Sequence, residues 1–158
     1  MTAFATSTAG PVPPQYRDPG TAARIALIAE SHARLLGEPL VPCSDDPVAT
    51  LWQAPRAIVA HGVEADPVFF FGNAAALAAF ECDVARFTAM PSRLSAEMPA
   101  RDERQALLDR VSRDGFIRDY AGMRISATGR RFMIERAVVW NLVDGEGTRH
   151  GQAATFVP

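Results

Sequence analysis

Lysine is absent from the chain, and all 16 of its basic residues are arginine. These arginines are scattered among 18 acidic residues, so the net charge is −2. Domains that bind nucleic acid are usually basic, with their cations gathered on one face or along one helix. Direct binding of nucleic acid is therefore not expected.

Long apolar runs are also missing, because none approaches the ~18 residues that suggest a membrane span. The first residues lack the charged start and apolar stretch of a signal peptide, and prolines at positions 11, 13 and 14 interrupt them. The sequence therefore predicts a cytoplasmic protein without a membrane segment.

Cysteine is scarce, since only Cys43 and Cys82 occur and their separation matches no metal-ligand spacing. Isolated thiols of this kind are usually small buried hydrophobic side chains. We therefore predict no metal site, while a disulfide between the two residues and any redox role for them stay open.

Motifs for catalysis are lacking as well. The sequence has no nucleophile elbow, no glycine-rich phosphate loop and no pair of histidines at helical spacing. No catalytic residue is predicted, and a small-molecule enzyme with an α+β pocket is the least favoured of the functions considered.

The N-terminal part divides into two segments. Residues 1–17, rich in Thr, Ala, Ser and Pro, are typical of a disordered leader. An amphipathic helix is predicted within residues 18–39, with Thr21 as its N-cap. Its apolar stripe must be buried in the chain's own core or against a partner, so a homodimer or partner contact through residues 21–36 is one expectation.

Residues 40–158 alternate short helices and strands and then become rich in strand. The predicted order is strands 57–60 and 68–71, helices 74–80, 84–88 and 101–113, and strands 116–126, 131–143 and 151–157. Tight turns join the last three strands. This order predicts an α+β fold, a five-stranded antiparallel sheet with helices on one face, preceded by the N-terminal helix.

Strict alternation along the strand 131–143 predicts which residues share a face. One face would carry Phe132, Ile134, Arg136, Val138, Trp140 and Leu142, and the other Met133, Glu135, Ala137, Val139, Asn141 and Val143. Both faces are apolar enough to need a cover. We expect helices on one and the N-terminal helix or a partner on the other.

Polar and aromatic strand residues are the candidates for anchoring a small molecule. They are Tyr120, Arg124, Trp140, Asn141 and Gln152, together with His61 at the end of the first strand. Each also has a structural explanation. Trp140 could belong to the core, Arg124 could pair with Glu135, Asn141 and Gln152 could satisfy backbone groups, and His61 could close its strand.

Several segments resemble a known family. Residues 69–80, in which Asn73 would open a helix, resemble the strand-to-helix signature of PAS domains. Within that superfamily the chain resembles the MEKHLA family, whose His-Gly-x-x-x-Asp-Pro segment matches residues 61–67. Other matching stretches are residues 91–97, 122–126, 139–142 and 151–156.

This resemblance implies a PAS-like sensory module of the free-standing bacterial type, acting through self-association or a partner protein. Family members are proposed to sense light, oxygen, redox state or a small ligand. Ser92 stands where a flavin-binding photoreceptor would need its reactive cysteine, so flavin–cysteine photochemistry is not expected. Haem, with His61 as one candidate ligand, or a small organic ligand stays open. The alternative is a ligand-free protein-interaction domain.

Overall fold

The computed structural model describes residues 9–96 and 101–158. Its helices are α1 (Pro19–Leu36), α2 (Pro47–Gln53), α3 (Ala74–Phe80), α4 (Val84–Phe87) and α5 (Arg101–Asp114). Its strands are β1 (Ala57–His61), β2 (Phe69–Gly72), β3 (Phe116–Ile125), β4 (Arg131–Val143) and β5 (Arg149–Phe156). The strands form one antiparallel sheet in the order β2-β1-β5-β4-β3. The predicted α+β fold with a five-stranded antiparallel sheet is confirmed.

Each face of the sheet has its own core. On one side, which we call the α1 face, α1 and α2 cover the sheet; this core includes Ile25, Ile28, Leu51, Ile58, Trp140 and Leu142. On the other side, the α5 face, lie α3, α4 and α5; the cores there include Val59, Phe80, Phe87, Val111, Ile134, Val139 and Phe156. The division of helices between the two faces agrees with the apolar character of both sides of β4.

A bulge in β4 changes the face on which some of its residues lie. Arg136 has a φ of 52°, in the left-handed region that non-glycine residues rarely adopt. Ile134 therefore packs on the α5 face with Ala137, whereas Val138 and Trp140 pack on the α1 face. The strict alternation predicted for residues 131–143 is wrong N-terminal to Arg136, because one residue there does not follow the pleat.

The segment before α1 is folded where the structure describes it. Residues 1–8 of the predicted disordered leader lie outside the described residues, but Pro14–Arg17 forms a 3-10 helix. Tyr16 is fully buried, and its hydroxyl accepts from the backbone N–H of Gly72 (3.0 Å) and donates to the carbonyl of the same residue (2.9 Å). The prediction of disorder is therefore wrong for residues 14–17, because the composition of a segment does not show that a single aromatic residue, here Tyr16, is buried in the core.

Capping at α1 also differs from the prediction. Asp18, not Thr21, is the N-cap; its carboxylate accepts from the backbone N–H of Thr21 (3.2 Å), and Pro19 occupies the first helical position. At the other end Gly37 adopts a φ of 74° and stops the helix. The helix thus begins three residues earlier than a Thr21 cap would allow.

The apolar stripe of α1 is used within the chain. Ile25 and Ile28 are fully buried, and the indole N–H of Trp140 donates to the carbonyl of Ile28 (3.1 Å). The stripe was expected to be buried either in the chain's own core or against a partner, and the structure shows it in the chain's own core. A homodimer or partner contact through residues 21–36 stays a prediction, which concerns the outward side of the helix.

The side chain of Asn73 connects α3 and β1 to α2. Its side-chain oxygen accepts from the backbone N–H groups of Ala76 and Ile58 (both 3.0 Å). Its amide nitrogen donates to the carbonyls of Leu51 (3.0 Å) and Arg56 (2.8 Å). The predicted cap of α3 is confirmed, and this fully buried side chain also ties three elements together.

No helix in the described part of the chain is long and apolar enough to cross a membrane.

Candidate functional site

A cavity lies on the α5 face, between the sheet, the 3-10 helix Ser92–Ser95 and α5. It offers about 60 Å³ to the centres of water molecules. Since one water needs roughly 10–15 Å³ by that measure, the space suits a handful of waters or a small organic molecule. Apolar side chains form most of the wall: Val59, Phe69, Phe80, Leu107, Leu108, Ile134, Val139 and Phe156.

Four of the six predicted ligand-binding residues line this cavity: His61, Tyr120, Arg124 and Gln152. They come from three strands, β1, β3 and β5, and converge because each projects to the α5 face of the sheet. Periodicity within one strand did not predict this convergence, since it depends on strand order and on the register shifts between β3 and β4.

Trp140 lies on the opposite side of the sheet and does not line the cavity. It is fully buried on the α1 face, where its ring meets that of His32 edge-on with centroids 4.9 Å apart. Burial lowers the pKa of His32, and its Nδ1 donates to the carbonyl of Glu38 (2.9 Å). Trp140 is a core residue, the structural alternative considered for it.

Asn141 lies on the α5 face but behind the cavity wall. Its side-chain nitrogen donates to the carbonyl of Val111 in α5 (3.1 Å), and its backbone N–H donates to the carbonyl of Gly115 (3.0 Å). Its side-chain oxygen accepts from the amide of Gln152 (3.2 Å). Asn141 therefore attaches α5 to the sheet and orients Gln152.

Arg124 and Tyr120 form the polar side of the cavity. The guanidinium of Arg124 donates to the Tyr120 hydroxyl (2.6 Å) and to the carbonyl of Met123 (3.1 Å). Arg124 is only 8% exposed. The cross-strand pair with Glu135 is not formed, because the strand register sets Arg124 opposite Phe132. Within the described residues no carboxylate pairs with Arg124.

Gly122 permits the contact between these two side chains. A Cβ at this position would lie 2.5 Å from the Tyr120 hydroxyl oxygen and 3.5 Å from a terminal nitrogen of Arg124. With no side chain between them, the tyrosine ring lies along the strand and its hydroxyl reaches the guanidinium. The glycine is thus part of the site, although it carries no functional group.

At the end of β1, His61 Nδ1 donates to the carbonyl of Gly62 (2.9 Å), the strand-closing role considered for this residue. The 3-10 helix adds Ser92 and Ser95 to the wall, and the Ser95 hydroxyl donates to the carbonyl of Ser92 (2.7 Å). No ligand role was predicted for Ser95 or for Leu107 and Leu108 of α5. An α5 stripe of leucines predicts burial but not a cavity.

Large prosthetic groups do not fit the residues described. A flavin or a haem exceeds the space available by a wide margin, and no cysteine lines the cavity. Cys43 is exposed, Cys82 is half-buried with the pKa of its thiol raised by burial, and neither lines the cavity. Among residues 9–96 and 101–158 no group of three or more His, Cys, Asp or Glu side chains is arranged to hold a metal ion.

The family model described as the MEKHLA domain matches residues 22–158. Among curated proteins, the homeobox-leucine zipper protein HOX33 of Oryza sativa subsp. indica is 30% identical over 118 residues, which are 72% of this chain and 13% of that protein. HOX29 of the same subspecies is 29% identical over 97 residues, 61% of this chain and 11% of that protein. The chain thus spans only a small part of the length of these plant relatives.

Solved structures with a similar fold include PAS domains and photoreceptors. A PAS domain from Colwellia psychrerythraea matches with a TM-score of 0.58 at 11% identity, over 68% of this chain and 89% of that one. A variant of the fungal photoreceptor VVD matches with a TM-score of 0.60 at 12% identity, over 83% and 93%. A PAS domain of a LuxR-family regulator from Burkholderia thailandensis, solved in complex with ethanol, gives 0.54 at 16%, over 68% and 92%. At these identities the likeness shows the fold alone.

Proposed function

Because the chain belongs to the MEKHLA domain family, we propose that it is a PAS-like sensory module whose cavity receives a small organic ligand. The observation that carries the proposal is the convergence of His61, Tyr120, Arg124 and Gln152 on one largely apolar cavity. A few directed polar groups in an apolar enclosure are the usual composition of a small-molecule site.

The size of the cavity favours a compact ligand over a prosthetic group. The similar PAS domain solved in complex with ethanol supports a small organic molecule as the kind of ligand that this fold accommodates. The ligand would be held between the sheet and α5, and Asn141, which bonds both Gln152 and α5, would carry changes at the cavity to that helix.

Output through self-association or a partner protein completes the proposal. The outward side of α1 carries the exposed residues Ala23, Glu30 and Ala33 and is the surface we assign to such a contact. A free-standing bacterial domain acting in the cytoplasm, as expected from the sequence, belongs to the proposal too. The curated relatives are much longer plant proteins, so their activities are not transferred.

Native mass spectrometry of the freshly purified chain, with an ultraviolet–visible spectrum, tests the function. We expect a small-molecule adduct at native mass that is lost on denaturation, and no flavin or haem absorption. The matched control is Ala154→Leu, which adds three carbons to a residue that lines the cavity. That variant should retain the fold and lose the adduct.

The same measurement distinguishes the alternatives. If the wild-type chain and Ala154→Leu both have the apo mass, and no small organic compound raises the melting temperature of either, ligand sensing is refuted. A dimer or a partner complex found under those conditions would favour the ligand-free interaction domain. Conversion of a bound compound would favour the enzyme.

A further inference from the structure

We propose that the cavity selects small organic carboxylates, with Arg124 as the counter-charge and Tyr120 as a second hydrogen-bond donor. This inference rests on the proposed ligand-binding function and specifies its ligand class. It arises from the charge of Arg124, which no carboxylate among the described residues neutralises, and from the hydroxyl hydrogen of Tyr120, in an otherwise apolar space.

Arg124 provides the charge. Arg124 as a whole residue is only 8% exposed. A guanidinium held away from water is costly unless it is paired, because desolvation penalises the ion more than two neutral hydrogen bonds compensate. Its neighbours at the cavity are a phenol and a backbone carbonyl, both neutral. The described lining contains no Asp or Glu, so the cavity wall supplies no counter-ion. A bound anion would provide it.

Tyr120 adds a donor with a defined direction. Its hydroxyl oxygen accepts from Arg124, so its own hydrogen is left to donate elsewhere. No acceptor in the described part of the chain takes that hydrogen. Two adjacent donors, one of them charged, complement a group that only accepts, and a carboxylate accepts at both oxygens.

The remaining wall defines the rest of the ligand. Leu107, Leu108, Ile134 and Val139 face the same space as the two donors. Inorganic anions gain nothing from such a surface, whereas an aliphatic or aromatic body does. With about 60 Å³ open to water centres, the body is limited to a few carbon atoms or one small ring.

Binding of butyrate and benzoate, compared with their neutral amides butyramide and benzamide, tests the selection. Isothermal titration calorimetry on the full chain at neutral pH should give carboxylate affinities about 10- to 100-fold above those of the amides, the range for one hydrogen-bonded charge. The amides have the same shape, so the comparison isolates the charge.

The variant Arg124→Met removes the guanidinium but keeps an unbranched side chain. It should lose the carboxylate preference while the unliganded protein stays as resistant to urea as the wild type, because an unpaired buried charge is removed. Arg110→Met, on the exposed side of α5, makes the same change in net charge and should bind carboxylates normally.

If Arg124→Met does not fold, Gly122→Ala gives a second test. Its new methyl group displaces the Tyr120 hydroxyl, a side-chain end that can move without unfolding the sheet, and carboxylate affinity should fall. Equal binding of acids and amides, or undiminished benzoate binding by both variants, overturns carboxylate selection but leaves the ligand-binding function intact. Absence of binding by both series, with Ala154→Leu indistinguishable from the wild type, overturns both proposals.

Discussion

Replacing Tyr16 by Phe should destabilise the domain in a way that depends on pH. β2 is an edge strand of the sheet, and the Tyr16 hydroxyl bonds both backbone polar groups of Gly72 in that strand. Phenylalanine fills the same space but leaves a buried N–H and a buried C=O without a partner. At roughly 1–3 kcal/mol for each of these two groups, we expect a loss of about 2–6 kcal/mol at pH 8.

Alkaline pH should reduce the difference between the two proteins. Burial raises the pKa of Tyr16 from 10.0 to about 12. Between these values the unfolded chain ionises this tyrosine while the folded chain holds it neutral, so the stability contributed by the hydroxyl is present below pH 10 and is lost as pH rises toward 12. One pKa unit corresponds to about 1.4 kcal/mol, so the gap should shrink by about 1.4 kcal/mol at pH 11.

Urea unfolding at pH 8 and pH 11, followed by tryptophan fluorescence, measures both effects. The absence of lysine helps, because the arginines keep their charge in this range and every other titrating group is shared by the two proteins. Gln15→Ala, at the exposed neighbouring position, controls for disturbance of the 3-10 helix. A Tyr16→Phe protein as stable as the wild type, or a gap that is the same at both pH values, would refute the reasoning.

Two further predictions concern buried polar side chains. Burial lowers the pKa of His32, so the unfolded chain takes up the proton first as pH falls below about 6.5, and the free energy of unfolding should decline there until the folded pKa is reached. Urea unfolding at pH 5 and 7.5 should show a smaller change in this free energy for His32→Asn than for the wild type. An equal change in the two proteins would contradict the assignment. Asn73→Asp replaces an amide that donates to two carbonyls by an acceptor, and we expect a loss of about 3 kcal/mol or more by the same method. Asn73→Ser, which can still cap α3, should lose less, and the reverse order would count against the bonds to α2.

The order of elements was predictable because each strand and helix carries its own pattern. Asn73 before the alanine-rich α3 and the glycine turn after Asp144 mark boundaries locally, and both are as predicted. The inclusion of residues 14–17 in the core was not predictable, because it depends on Tyr16 meeting Gly72, 56 positions along the chain. A contact at that separation leaves no periodic signal.

The candidate site was predictable in part for the same reason. Chemistry alone singled out His61, Tyr120, Arg124 and Gln152, which line the cavity. It also singled out Trp140 beside Asn141, although neighbouring residues of a strand point to opposite faces and at most one of such a pair can reach a given cavity. Which of the two residues lies on the cavity side depends on strand order and on the bulge at Arg136. Neither can be predicted from the sequence of a single strand.

That adjacency of Trp140 and Asn141 has a practical consequence for spectroscopy. The sheet between the two cores is one backbone thick, so a displacement of Asn141 by a bound molecule moves the peptide that also holds Trp140. The indole there rests against His32 and bonds to α1, an environment in which small changes alter emission. In a Trp52→Phe background the protein would therefore carry a single tryptophan, Trp140, which lies on one side of the sheet and reports on events in the cavity on the other side.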